Sequence, residues 1–149
     1  GRVSGRPVAA MPHTALLLVA GDGDPATLAR LAATADREFH SGPRPLTPVL
    51  WQGCAQGLQE VRVAPEHPTF ELLEQARVRA WALEISAQAE AWGQPVEPVG
   101  VRQTDGRLAR GARASDEATL LPEADVYVGI SAPTGARIAG SWPPWRCRA

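Results

Sequence analysis

Gly21-Asp22-Gly23-Asp24 lies between an apolar run at 16–20 and an alanine- and leucine-rich segment that starts at Pro25. Two carboxylates this close together, directly after a strand, can hold Mg²⁺, which takes one or two carboxylates and keeps several waters. Glycine at 21 and 23 lets a ligand approach the backbone, and a helix starting at Pro25 aims its positive end at an anion. The strand-like stretch at 125–130 and the segment after it carry more residues of this kind. Gly129, Ser131, Thr134, Gly135, Gly140 and Ser141 offer N–H and hydroxyl donors suited to phosphate. Two chemistries follow from these residue types. One is nucleotide binding with Mg²⁺ between the phosphates and Asp22 and Asp24, whose charges would otherwise repel the ligand. The other is metal-dependent phosphoryl transfer with the same two aspartates as ligands.

Other chemistry finds less material. The chain has no lysine, so a Schiff base and a P-loop phosphate ligand are excluded. All 15 basic residues are arginine and asparagine is also absent, the mark of a GC-rich genome, so arginine by itself does not signal phosphate recognition. His13, His40 and His67 each sit beside an element boundary and read as caps or solvated groups. No Ser-His-Asp set assembles, because no histidine follows Ser131 or Ser141. Glu71, Glu74, Glu84 and Glu90 belong to the polar parts of a long helix, within reach of Arg77 or Arg79. Cys54 and Cys147 lack a CxxC context and read as a buried apolar thiol and an exposed tail thiol.

Composition bounds the class. The 149 residues are 44% hydrophobic and 21% charged, as expected of a folded globular chain. A formal net charge of −1 gives no overall field for nucleic acid or an anionic membrane. No apolar run approaches the roughly 18 residues of a membrane span, and the start of the chain has no signal-peptide core, so a cytoplasmic protein is expected.

The elements that must position these residues can be read along the chain. Residues 14–20 predict a strand buried on both faces. Asp24 is a good N-cap and Pro25 a good first helical residue. The helix they start carries Leu28, Leu31, Ala32, Ala35 and Phe39 on one face and stops at the SGPRP segment from Ser41. Strands are predicted at 46–51, with Pro48 pushing it toward an edge or bulge, and at 61–64. A long helix, capped by His67 or Thr69, runs over about 68–92 and closes at Gly93. Phe70, Leu73, Trp81, Ile85 and Trp92 form one of its stripes, and Leu72, Ala76, Ala80, Leu83 and Ala87 another. A strand at 96–103 leads through the turn signal Asp105-Gly106 into 107–110, and 125–130 is a buried strand. This order favours a single α/β domain over 14–141, with a mostly parallel sheet, helices on both faces and one β-hairpin. Residues 1–13 read as a flexible segment, native or added, and 142–149 as a Trp/Pro-rich tail. In such a sheet the loops around Asp22 and around Thr134-Gly135 share one crevice at the strand ends.

With its elements in this order, the chain resembles the universal stress protein family. The likeness rests on VAGDGDPATLARLA after the first strand, GQPVEPVGVR after the long helix, and DVYVGISAPTGARIAGS at the last strand. It covers about two thirds of the chain. ATP-binding members of that family carry GxxG, nine residues, then GS or GT. Here the glycines stand at Gly129, Gly135 and Gly140-Ser141, a degenerate spacing, and the family's final helix and strand have no counterpart. The resemblance implies a small regulatory domain that binds an ATP-like nucleotide. Asp22 would contact the base or ribose, and Gly135, Gly140 and Ser141 the phosphates.

Two other functions stay open. GDGD also looks like the acidic turn of NYN-type nucleases and the DxD of haloacid-dehalogenase phosphatases, which would make the protein a Mg²⁺-dependent phosphoryl-transfer enzyme. The third function is a non-enzymatic interaction or structural subunit of a larger assembly. The chain holds five tryptophans against two phenylalanines and one tyrosine, and the Trp142-Pro143-Pro144-Trp145 tail has either this domain's own core or a partner, a second copy included, to lie against. Regulation or interaction is favoured over catalysis.

Overall fold

The computed structural model describes residues 4–115, 117, 118, 120–129, 137–139 and 146–147. The chain divides into two compact units, Gly1–Ala80 and Trp81–Ala149.

In the first unit, β1 (Pro7–His13) and β2 (Leu16–Gly21) pair antiparallel, joined by Thr14 and Ala15. Two residues can close a hairpin but cannot make the crossover that parallel strands need. Prolines bracket β1 where they cost least: Pro7 opens the strand, and Pro12 falls where the register shifts between Ala10 and His13. α1 (Pro25–Ser41) follows, then β3 (Trp51–Cys54) and β4 (Gly57–Glu60), an antiparallel hairpin turned by Ala55 and Gln56. Because β3 pairs with β1, the sheet order is β2-β1-β3-β4, all antiparallel, with β2 at an edge. One face of this sheet is closed. Val8 and Ala10 of β1 bury against Leu28, Leu31, Ala32 and Ala35 of α1, with Leu50 and Leu73 in the same cluster and Leu18, Ala20, Val61 and Val63 at its margin. Each fully buried leucine or valine contributes about 1.5–3 kcal/mol.

α2 (Phe70–Ala91) starts in the first unit, where Arg79 pairs with Asp36 of α1 and Arg77 with Glu74. His67 makes its start. Its carbonyl accepts the Phe70 N–H at 2.9 Å and its Nδ1 the Thr69 N–H at 3.1 Å. α2 ends in the second unit with Gly93 at φ +61, so that Gln94 N–H reaches Ala89 O at 2.8 Å and Gly93 N–H reaches Glu90 O at 3.2 Å. This paired closure needs a residue that adopts the left-handed region freely.

The second unit holds β5 (Val96–Arg102), β6 (Leu108–Ala114), β7 (Leu120–Leu121), β8 (Val126–Gly129), β9 (Arg137–Ala139) and β10 (Arg146–Cys147). β5 and β6 form a hairpin across Asp105-Gly106 in full register from Val96↔Ala114 to Arg102↔Leu108. β8 lies parallel to β6, and β9 antiparallel to β8, giving a mixed sheet β5-β6-β8-β9; β7 and β10 form a separate pair. Ala112, Ala124 and Tyr127 are its core cluster, with Trp81, Val96 and Leu121 against it, and the Tyr127 hydroxyl donates to the Pro122 carbonyl.

The architecture is α+β and corrects the expected single, mostly parallel α/β sheet with helices on both faces. Among the described residues, two helices accompany two principal sheets, one entirely antiparallel and one mixed. The expected central strand at 14–20 is the edge strand β2, and β1 occupies residues expected to be flexible. The strands expected at 46–51 and 61–64 are replaced by the tighter β3-β4 hairpin. Cys54, expected to be buried, is exposed at the end of β3, because the hairpin turn begins there.

Candidate functional site

The 21–24 loop forms where β2 runs out and α1 starts. Asp24 adopts an extended N-cap geometry (φ −136, ψ 120), with Pro25 as the first helical residue. Its carboxylate accepts the Ala26 and Thr27 N–H groups, each at 3.1 Å, and the Thr27 hydroxyl at 2.7 Å. Asp22 is turned the other way, toward the start of the chain. It accepts the Arg6 N–H at 2.7 Å, the Gln52 amide at 2.8 Å and the Arg6 Nε at 3.2 Å. Two backbone bonds extend this clasp, Asp22 N–H to Arg6 O at 3.1 Å and Gly23 N–H to Ser4 O at 3.0 Å.

The glycines are explained by the same contact. A Cβ on Gly21 would fall 1.8 Å from the Ser4 carbonyl oxygen, and one on Gly23 would fall 2.7 Å from Ser4 Oγ. The close approach that glycine permits is made by the chain's own residues 4–6. Each aspartate already accepts three protein donors. The Arg6 N–H first, then the Gln52 amide, hold the Asp22 carboxyl below the ordinary carboxylate value; the Thr27 hydroxyl, then the Ala26 N–H, do the same for Asp24. Asp22 and Asp24 thus face different partners, and the arrangement is a structural clasp and a helix cap.

The other residues of the expected ligand crevice belong to the second unit. Gly129 ends β8 in the second unit. Ser131, Thr134, Gly135, Gly140 and Ser141, and the Trp142, Pro143, Pro144 and Trp145 tail, lie outside the described residues. Among the described residues no three His, Cys, Asp or Glu side chains gather as a metal site. The histidines make local bonds with the backbone: His13 Nδ1 accepts the Ala15 N–H at 3.3 Å, His40 Nδ1 bonds Asp36 O at 2.8 Å, and His67 starts α2.

The first unit also exposes an apolar sheet face. Paired residues of antiparallel strands share a face. Ala9 is paired with Val19 on one side and Trp51 on the other, and Trp51 with Glu60. These residues lie on the face opposite α1, since the alternate set, Val8, Ala10, Leu18 and Ala20, belongs to the α1 core. Alternation adds Met11 and Leu17 to the outer face, and the Gly53↔Leu58 pair adds Leu58. Leu17 is 59% exposed, Val19 54%, Met11 44% and Leu58 74%. Glu60, ion-paired with Arg62 at 3.1 Å, is the one charged strand residue on that face. Large apolar side chains are thus exposed on three strands of one sheet.

Sequence reasoning missed this face. The run Leu16-Leu17-Leu18-Val19 is apolar at every position, so its period of two does not show, although its exposure alternates strictly. The signal that could have exposed it is Thr14-Ala15, a spacing that fits a hairpin with the preceding PVAAMPH.

Among the described residues no helix is long and apolar enough to cross a membrane. A scan against protein-family models, a search of curated proteins and a search of solved structures return no match for this chain.

Proposed function

We propose that the protein is a non-enzymatic interaction module that self-associates through the outer face of the β2-β1-β3-β4 sheet. The observation that carries this reading is the row Val19, Ala9 and Trp51 across three strands, flanked by exposed Met11, Leu17 and Leu58, on the face α1 leaves open. Two antiparallel sheets stack naturally face to face, about 10 Å apart and rotated by about 30°, with apolar side chains interdigitated. A second copy of this chain fits such a face because a two-fold contact sets the patch against itself, and the charges at its margin, Glu60 and Arg62, are already paired with each other. What favours this function over nucleotide binding is that Gly21, Asp22, Gly23 and Asp24 are committed to residues 4–6 and to the start of α1.

The test is the molar mass of the full chain by light scattering over a range of concentrations. The expected result is a dimer that dissociates on dilution, and a monomer for the Leu17→Asp, Val19→Asp double variant with unchanged circular dichroism. A wild-type monomer at every concentration, or a variant that associates like wild type, overturns the reading.

A further inference from the structure

In the second unit, Trp81, Glu84, Ile85 and Gln88 at the end of α2, and Trp92 just after it, whose N–H still bonds Gln88 O at 3.0 Å, recur at helical spacing along one side. Together with Arg110 of β6 and Glu123 they line an open cleft of about 330 Å³, at the small end of the range for ligand sites. Trp81 and Trp92 are three turns apart, about 16 Å along the axis, so the indoles mark the two ends and a ligand would lie along the helix. The walls are held by bonds of their own. Trp81 Nε1–H donates to the Glu123 carbonyl at 3.0 Å, and the Gln88 amide donates to Glu84 Oε1 at 3.1 Å.

Charge decides what kind of ligand suits these walls. Arg110 is committed to Asp125: Nε and Nη2 reach its two oxygens at 3.3 and 3.0 Å, and the Arg110 N–H reaches the same carboxylate at 2.8 Å. The Glu123 carboxylate is only at the rim of that pair, 3.9 Å from Arg110. With the guanidinium neutralised, Glu84 and Glu123 leave the lining negative. Indole faces attract cations through the ring quadrupole, and Ile85, 5% exposed, supplies an apolar floor. An anion such as a nucleotide phosphate would meet carboxylates without an available cation.

We infer that this cleft binds a small organic cation, an amine or guanidine carried on an apolar body. The inference uses none of the residues of the β2-β1-β3-β4 face and stands independently of self-association. Glu84 and Glu123 pair the cationic group, an indole covers it, and the body lies over Ile85.

The probe is agmatine, an aliphatic chain with an amine and a guanidinium, titrated into the ¹⁵N-labelled full chain, with glutarate as the anionic control. The Trp81 and Trp92 indole N–H resonances are identified with Trp81→Phe and Trp92→Phe. Agmatine should shift both saturably and glutarate neither. Glu84→Gln combined with Glu123→Gln, two exposed carboxylates whose replacement keeps their volume, should weaken binding at least about tenfold and remove its salt dependence. No saturable shift with agmatine, equal shifts with glutarate, shifts confined to other tryptophans, or unchanged affinity in the double variant would each overturn the inference.

Discussion

The Asp22 carboxylate holds Arg6 by its backbone N–H at 2.7 Å and by its guanidinium at 3.2 Å, across sixteen residues of chain. This contact turns the most suggestive motif of the sequence into the lock that closes the N-terminal segment over the strand-to-helix turn. A carboxylate that accepts two N–H groups of one residue and an amide from Gln52 is held in a single orientation.

Gly21→Ala is expected to destabilise the fold by about 1–3 kcal/mol, because the added methyl has to displace the Ser4 carbonyl 1.8 Å away and the surrounding backbone bonds with it. Urea denaturation measures this. If the glycine served a ligand instead, the substitution would leave stability unchanged in the ligand's absence.

Acid should loosen the same clasp. Asp22 has its folded carboxyl lowered from the ordinary 3.8, so its contribution is fully present above that value and is lost as pH falls through the lowered one. Asp22→Asn should therefore be less stable than wild type at pH 7, with the gap starting to narrow as pH falls below about 4 and closing only below the lowered folded value. Denaturation of both proteins across this range provides the check; a gap that persists in strong acid would show that shape, not charge, carries the contact.

In the second unit, Ile85 and Trp81 should separate by burial. Ile85 is 5% exposed, and Ile85→Ala should cost about 2–5 kcal/mol. Trp81 is only partly buried, so Trp81→Phe should cost about 0.5–1.5 kcal/mol, chiefly the bond to Glu123 O. Equal losses at both positions would mean that the Trp81 ring is packed as tightly as the core.

Local signals in the sequence were legible. Asp24-Pro25 starts α1, Leu28, Leu31, Ala32 and Ala35 form its buried face, Gly93 closes α2, and Asp105-Gly106 turns the β5-β6 hairpin. What could not be read is pairing, which depends on residues far apart in the chain. The helix between β2 and the next strand suggests a parallel crossover, yet β3 pairs with β1, so α1 spans β1 and covers one face only. Pro7 and Pro12 disguise β1, and the two-residue Ala55-Gln56 turn lacks the Asn-Gly signature of a hairpin. The 21–24 loop was legible as a turn. Its partner, Ser4 to Arg6, was not, because no local pattern connects residues 4–6 to residue 22.

On the open face, Leu17→Asp with Val19→Asp should change monomer stability by no more than about 1 kcal/mol, since both side chains are more than half exposed. Denaturation at a concentration below association would detect a larger loss, which would place these residues in the fold itself.

Self-association through this face would cover Met11, whose side chain therefore reports on it directly. It is the chain's one methionine, it lies on the outer face of β1, and it is 44% exposed. The rate of Met11 oxidation by hydrogen peroxide, read by mass as a function of protein concentration, should fall several-fold as the dimer forms and should stay at the dilute value at every concentration in the Leu17→Asp, Val19→Asp variant. A chain that doubles in molar mass while Met11 oxidises at an unchanged rate would contradict the account and move the interface elsewhere.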